Sequence, residues 1–179
     1  MATLFTADLH GNDTTIALLR GFKTKEEHDS WLIHCWNQQV KRSDLVYMLG
    51  DFCKGDHKTV RSFRMKLQGK IILIAGNHDH QNRIQNLPEL FTGIYDIKEI
   101  KIQGFKTTLC HYSLRTWPSS NFNSFMLHGH SHGGLLPQGK QLDVDIGSNH
   151  GILYTEDDIL AIMKLRGDNF NYIDKSITP

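Results

Sequence analysis

The stretch "KIILIAGNHDH" (residues 70–80) is apolar without a break from Ile71 to Ala75 and turns polar directly after Gly76. An unbroken run of this kind reads as a strand buried on both faces, as in a parallel sheet covered on each side. Just past its carboxyl end stand Asn77, His78 and Asp79. In open α/β sheets, ligands collect beyond the carboxyl ends of the strands. The same arrangement recurs along the chain. "TLFTADLHGN" (3–12) delivers Asp8 and His10, and "DLVYMLGD" (44–51) delivers Asp51. "TTLCH" (107–111) delivers His111, and "SFMLHGHSH" (124–132) delivers His130 and His132. One strand ending this way carries little weight. Five that end this way would send their side chains into a single place.

The segments between these strands supply helices. "TKEEHDSWLIHCWNQQV" (24–40) opens with Thr24 and Glu27 at capping-box spacing and puts Trp31, Leu32, Cys35, Trp36 and Val40 on one broad face. His28 and His34 are expected on its solvent side. "HKTVRSFRMKLQG" (57–69) sets Val60, Phe63 and Leu67 on one stripe and stops at Gly69. "IYDIKEIKIQGFKTTLCH" (94–111) alternates apolar and polar residues around a glycine, the pattern of a hairpin. "QLDVDIG" (141–147) reads as a further strand, and "TEDDILAIMKLRG" (155–167) as a late helix behind a Thr-x-x-Asp cap. Helices alternate with strands in the first half and strands dominate the second, so the expectation is a layered α/β protein. At 179 residues it is read as one domain, 1–179, with a polar tail "DNFNYIDKSITP" (168–179).

Composition narrows the function. Twenty basic residues face nineteen acidic ones, a balance that gives no overall electrostatic footprint for DNA or an acidic membrane. No apolar run approaches the ~18 residues that span a bilayer, and the start of the chain has no leader-like pattern. Cys35, Cys53 and Cys110 form no C-x-x-C pair and are read as free thiols. A cytoplasmic protein with no membrane association is expected, and no protein partner is inferred. The unusual residue type is histidine, with eleven residues.

Imidazole mixed with carboxylate suits first-row transition metals such as Mn, Fe, Ni, Co or Zn, whereas carboxylate alone suits Mg or Ca. Asp8, His10, Asp51, Asn77, His111, His130 and His132 are too many donors for one tetrahedral ion. Two ions about 3.5–4 Å apart, sharing one carboxylate, would use them all. Asp51, alone on its strand end, is the natural bridge.

"DLHGN", "LGDF", "AGNHD", "LCHY" and "HGHSHG" resemble, in order, the five motifs of the calcineurin-like metallophosphoesterase superfamily, over residues 3–132. "EEHDSWLIHCWNQQVKRSDLVYMLGDF" (26–52) further resembles a branch of small, compact bacterial and phage members. The resemblance implies a four-layer α/β/β/α sandwich of two mixed sheets flanked by helices, with two divalent metals, Mn foremost, at the carboxyl ends of the strands. It places Asp8, His10, Asp51 and His132 on one ion, and Asp51, Asn77, His111 and His130 on the other. It implies hydrolysis of a phosphate ester by in-line attack of hydroxide bridging the metals. His78 would serve the leaving oxygen, and Asp79 would orient His78.

Blander readings exist for each residue. Asp8 and His10 could cap a following helix. Asn77 suits a left-handed turn after Gly76. His128 shares the parity of His130 and His132, but the family pattern leaves it out, and it reads as a buried neighbour. His57, His80 and His150 sit on loops near the predicted mouth. Asp143 and Asp145 read by default as an exposed strand face, with one of them able to back a ligand. Arg115, Lys54 and Asn12 are candidates for a phosphate clamp, and Tyr112 and Trp117 could stack on a base or pack. The protein phosphatases of the superfamily carry GDxxDRG, whereas "GDFCKGD" (50–56) has Gly55 at the arginine position. A phosphodiesterase acting on a small phosphate ester, a nucleotide or a nucleic-acid end is therefore expected. A broad phosphomonoesterase is the runner-up, and a scaffold that has lost catalysis comes third.

Overall fold

A computed structural model describes residues 1–174. In chain order the elements are β1 (Thr3–Thr6), α1 (Thr14–Leu19), α2 (Lys25–Gln39), β2 (Leu45–Met48), α3 (His57–Arg64), β3 (Lys70–Ile74) and α4 (Asn77–Gln81). Two 3-10 turns, Ile84–Asn86 and Pro88–Leu90, lead into β4 (Gly93–Tyr95), β5 (Ile97–Ile102), β6 (Phe105–Cys110), β7 (Phe125–His128), β8 (Gln141–Asp143), β9 (Tyr154–Thr155) and α5 (Glu156–Leu165). The first sheet runs β4-β3-β2-β1-β9, parallel except for β9. The second runs β5-β6-β7-β8, with β5 antiparallel to β6 and the rest parallel. Two mixed sheets flanked by helices is the architecture that the sequence predicts.

Period-two alternation sorts the first sheet's side chains to its two faces. Leu4, Val46, Met48, Ile71 and Leu73 face α2 and α3, where they meet Leu32, Trp36, Val60 and Phe63. Phe5, Leu49, Ile72 and Ile74 face the second sheet and pack with Leu109, Phe125, Leu127 and Leu142. The α5 helix adds Ile159 and Met163 to that inter-sheet core. The outer face of the second sheet is covered by the loop after β6, whose Leu114 and Trp117 pack on Cys110 and Met126. The described part of the tail lies there too. Buried Asn169 donates to the carbonyls of Ser120 and Ser124 at 2.9 and 3.0 Å. The remainder of the tail, 175–179, lies outside the described residues.

Three expectations need correction. His28 is not on the solvent side of α2 but fully buried, between Phe22, Trp31 and Arg20. Asn77 is not left-handed; it opens α4, with Gly76 as the N-cap. The strand from Gln141 ends at Asp143, because Val144 to Ile146 leaves the second sheet to pair with the first. Ala7 N–H donates to Val144 O at 2.9 Å, and Ile146 N–H donates to Ala7 O at 3.1 Å. That crossing fastens the sheets together at the end where the polar residues emerge.

Candidate metal centre

The loops leaving the strands are stitched to one another by their backbones. Asp8 N–H donates to Gly50 O, His10 N–H to Asp51 O, and Gly129 N–H to His111 O, at 2.8–3.0 Å. The expected cap role of Asp8 and His10 falls away, because Asp13 caps α1 through Thr15 N–H at 2.9 Å. Asp8, His10, Asp51, His130 and His132 instead all have positive φ, between 47° and 67°. Non-glycine residues in that region cost on the order of 1–3 kcal/mol each and persist where surrounding structure holds them, often at functional sites. Glycines make the room. A Cβ on Gly50 would fall 2.2 Å from His111 Nδ1, and one on Gly129 would fall 2.4 Å from Asp8 Oδ2.

The side chains converge as two groups linked by a third, His10, Asp51 and His78, which shares one member with each. Asp8, His10 and His132 bring ligand atoms within 4.8 Å of one another, as do Asp51, His111 and His130. Asp51 Oδ2 stands 3.5 Å from His10 Nε2 on one side and 3.5 Å from His111 Nε2 on the other. Asn77 Oδ1 lies 3.1 Å from His111 Nε2. All seven residues predicted as ligands are thus at one site. His78 is there as well, with Nε2 4.0 Å from Asp51 Oδ2 and its ring edge against His10. Tyr112 flanks the site, its ring 4.9 Å from that of His130.

The electrostatics call for cations. Burial, then Asp145, Asp51 and Asp143, push the Asp8 carboxyl well above its usual range. Burial also pushes His10 down to about 3, so its ring is neutral and able to donate a lone pair. His10 Nε2 is buried without a hydrogen-bond partner. An orphaned imidazole nitrogen beside crowded carboxylates is costly in an apo site and is what a bound cation would satisfy. Burial alone would raise Asp51, but His111 and His10 hold it below its usual range. Asp51 in turn lifts His111 against the opposing effect of burial. These residues fit divalent metal ions.

Asp79 plays a different part from the one expected. Its Oδ2 accepts from Asp51 N–H and Gly76 N–H, and its Oδ1 accepts from Phe52 N–H, at 2.8–2.9 Å. It therefore ties the β2 and β3 loops together, and both oxygens are engaged by backbone rather than by the His78 ring. Burial raises it to about 6.

Sequence reasoning missed Arg20. Its Nη2 donates to Asp8 O and to Asp145 Oδ1, both at 2.7 Å, and its Nη1 lies 3.3 Å from Leu9 O. Asp145 Oδ1 is also 3.4 Å from His132 Nδ1, so Asp145 is buried behind His132 and not on an exposed strand face. A carboxylate on the far ring nitrogen fixes the tautomer and leaves Nε2 for a metal. No local signal marks Arg20, because its partner is 125 positions away in the chain.

The other candidates separate from the centre or pack against it. Lys54 pairs with Asp13, and Asn12 is held by Lys25 and by the Lys54 carbonyl. His80 pairs with Asp96, while His57 and His150 are exposed. Trp117 is buried in packing. His128 is buried on the outer face of the second sheet, its Nδ1 donating to Gly129 O. Arg115 lies over Phe170 beside the same face.

Two mixed sheets with a His/Asp centre at their carboxyl edge define an α/β protein built to hold metal ions. The calcineurin-like phosphoesterase superfamily domain matches residues 1–166, and the chain belongs to that superfamily. The family's activity is metal-dependent hydrolysis of phosphoesters, which the ligand set here suits. The chain is 31% identical over 151 residues to an uncharacterised protein of Methanocaldococcus jannaschii, covering 78% of each. It is 25% identical over 158 residues to the gene 66 protein of Mycobacterium phage D29, covering 74% of this chain and 79% of that one. The crystal structure of a protein of unknown function from Aquifex aeolicus superposes with a TM-score of 0.70 at 23% identity, over 90% of this chain and 98% of that one, and so shares the fold. Among the described residues no helix is long and apolar enough to cross a membrane.

Proposed function

We propose that the chain is a phosphodiesterase that uses two divalent metal ions, Mn foremost, and acts on a small phosphate ester, a nucleotide or a nucleic-acid end. The observation that carries this reading is the position of Asp51 Oδ2, equally far from His10 and His111. Cations held by Asp8, His10, Asp51 and His132, and by Asp51, Asn77, His111 and His130, would supply Lewis acidity to the phosphoryl oxygens and a nucleophile from water.

The protein's own groups do the rest. Asp51 sets the separation of the two halves. His132, backed by Asp145 and Arg20, keeps its Nε2 aimed inward. His78 is 36% exposed beside Asp51, so its ring can reach a leaving oxygen from the open side and give it a proton as the P–O bond breaks. An alcohol is a poor leaving group, and a diester depends on that proton. The titratable groups facing His130 are His111, Asp51, His132 and His78. Arg20 is engaged beneath the ligands by Asp8, Leu9 and Asp145. A face furnished with imidazoles suits the single negative charge of a diester better than the two of a monoester. Three free thiols, Cys35, Cys53 and Cys110, are consistent with work in a reducing cytoplasm.

The test is a panel of bis-p-nitrophenyl phosphate, p-nitrophenyl phosphate and dinucleotides on Mn-loaded protein. Diester turnover above monoester turnover supports the reading. His78→Ala is expected to keep both metals and lose 10²–10⁴-fold in turnover, the span of general acid catalysis. Metal-loaded protein that turns over neither ester, or His78→Ala at full rate, contradicts it.

A further inference from the structure

A cavity of about 650 Å³ opens on the outer face of the second sheet. Its lining comes from the loop after β6, the loop 133–138, the strands β7 and β8, and the segment after α5. Two arginines line it. Arg115 is exposed, with its guanidinium 5.1 Å from the centre of the Phe170 ring. Arg166 is half-buried, and burial lowers its pKa. Neither guanidinium has a hydrogen-bonded or carboxylate partner among the described residues.

The one acid in the lining is already engaged. Asp143 accepts from Ser131 Oγ at 2.6 Å, from Gly133 N–H at 2.9 Å and from Asp145 N–H at 3.0 Å. Gln141 is held by Ser113 Oγ at 2.8 Å. The free charge facing the cavity is therefore positive. A guanidinium partly out of water without a counter-ion is costly, and its planar fork matches phosphate or carboxylate oxygens. The rim is apolar, with Leu135 and Leu136 exposed at 53% and 91% and the Phe170 face beside them. The volume falls within the roughly 300–1,000 Å³ of small-molecule sites.

We propose that this cavity is an anion site for a nucleotide, with phosphate on Arg166 and Arg115 and the base against Phe170 and the Leu135–Leu136 rim. It is separate from the metal centre. The two share a wall, because the turn that Asp143 holds at Ser131 and Gly133 carries His132 between them. The phosphate has two sources: a distal nucleotide of the substrate, or a free nucleotide. Binding in the cavity needs no metal.

The test uses metal-free full-length protein titrated with adenosine monophosphate and with inorganic phosphate by calorimetry. Saturable binding is expected, kept in Asp51→Asn and weakened tenfold or more in both Arg166→Met and Arg115→Met. Arg115 is exposed, so its variant tests the site even if Arg166→Met folds poorly. No binding to metal-free protein, or arginine variants that bind as tightly as the unsubstituted protein, overturns the proposal, as does loss of binding in Asp51→Asn. On Mn-loaded protein, a higher KM for dinucleotides but not for bis-p-nitrophenyl phosphate in Arg166→Met identifies the occupant as part of the substrate. A change of turnover on adding nucleotide, seen in the unsubstituted protein and absent in Arg166→Met, identifies it as a free effector. Nucleotide binding without any hydrolysis would count against the proposed activity and leave this site standing.

Discussion

His111 Nε2 lies 3.5 Å from Asp51 Oδ2, in a part of the molecule where both side chains are almost wholly buried. The same oxygen is 3.5 Å from His10 Nε2, so a single atom serves two ligand groups drawn from distant strand ends. The two halves of the centre are therefore expected to fail together. Asp51→Asn should drop bound metal below one ion per chain and turnover by at least about 10³-fold, measured by elemental analysis and the diester assay. Retention of one tightly held ion at normal affinity would mean that the halves are independent.

Arg20 should matter although it faces away from substrate. It bonds Asp8 O and the Asp145 carboxylate, and Asp145 backs His132. Removing one partner of a buried ion pair costs about 3–5 kcal/mol. Losing a group that orients a ligand typically costs 10–100-fold in metal affinity. Arg20→Met is expected to show both, by denaturant unfolding and by Mn titration. Arg20→Lys should recover only part, since a single ammonium nitrogen can replace Nη2 but not also Nη1, which reaches Leu9 O and His28 Nε2. Unchanged Mn affinity in Arg20→Met would reduce Arg20 to a packing residue.

Gly129 is predicted to be intolerant for a reason that can be separated from backbone strain. A Cβ there would fall 2.4 Å from Asp8 Oδ2 and 2.5 Å from Ala7 Cβ. Gly129→Ala should displace Asp8 and weaken metal binding at least tenfold. Gly104, in the β5–β6 turn at φ +89°, meets nothing within 4 Å. Gly104→Ala should therefore cost only about 1 kcal/mol of turn strain, read as a lower Tm, with metal binding intact.

His28 gives a pH dependence of definite sign. Burial, then Arg20, lowers its pKa from 6.5 to about 4. The unfolded chain then binds a proton more readily than the folded one, so stability is full above pH 6.5 and is lost as pH falls toward 4. Each pK unit is worth about 1.4 kcal/mol. In metal-free protein, His28→Gln should flatten the fall of Tm between pH 6.5 and 4. An unaltered slope would show that His28 is not its source.

Most of the centre was legible in the sequence because its donors are local to strand ends. Each apolar run announces a strand, and the residues just beyond Ala7, Gly50, Gly76 and Cys110 are then fixed in place. What escaped notice depends on contacts between distant segments. Arg20 meets Asp145 only because the chain crosses between sheets after Asp143. His28 looks like a surface residue by composition, yet α2 turns it inward beneath Arg20 and Phe22. Asp79 follows His78 in sequence, but α4 points it back at the amides of Asp51, Phe52 and Gly76. The family motifs point to the candidate ligands, while only the folded geometry shows what holds them.

The measurement that bears most directly on the central claim is anomalous diffraction from crystals grown with manganese. Two peaks about 3.5–4 Å apart are expected, both touching Asp51 Oδ2, one also reached by His10 and the other by His111. A single peak, or two that do not share Asp51, would contradict it.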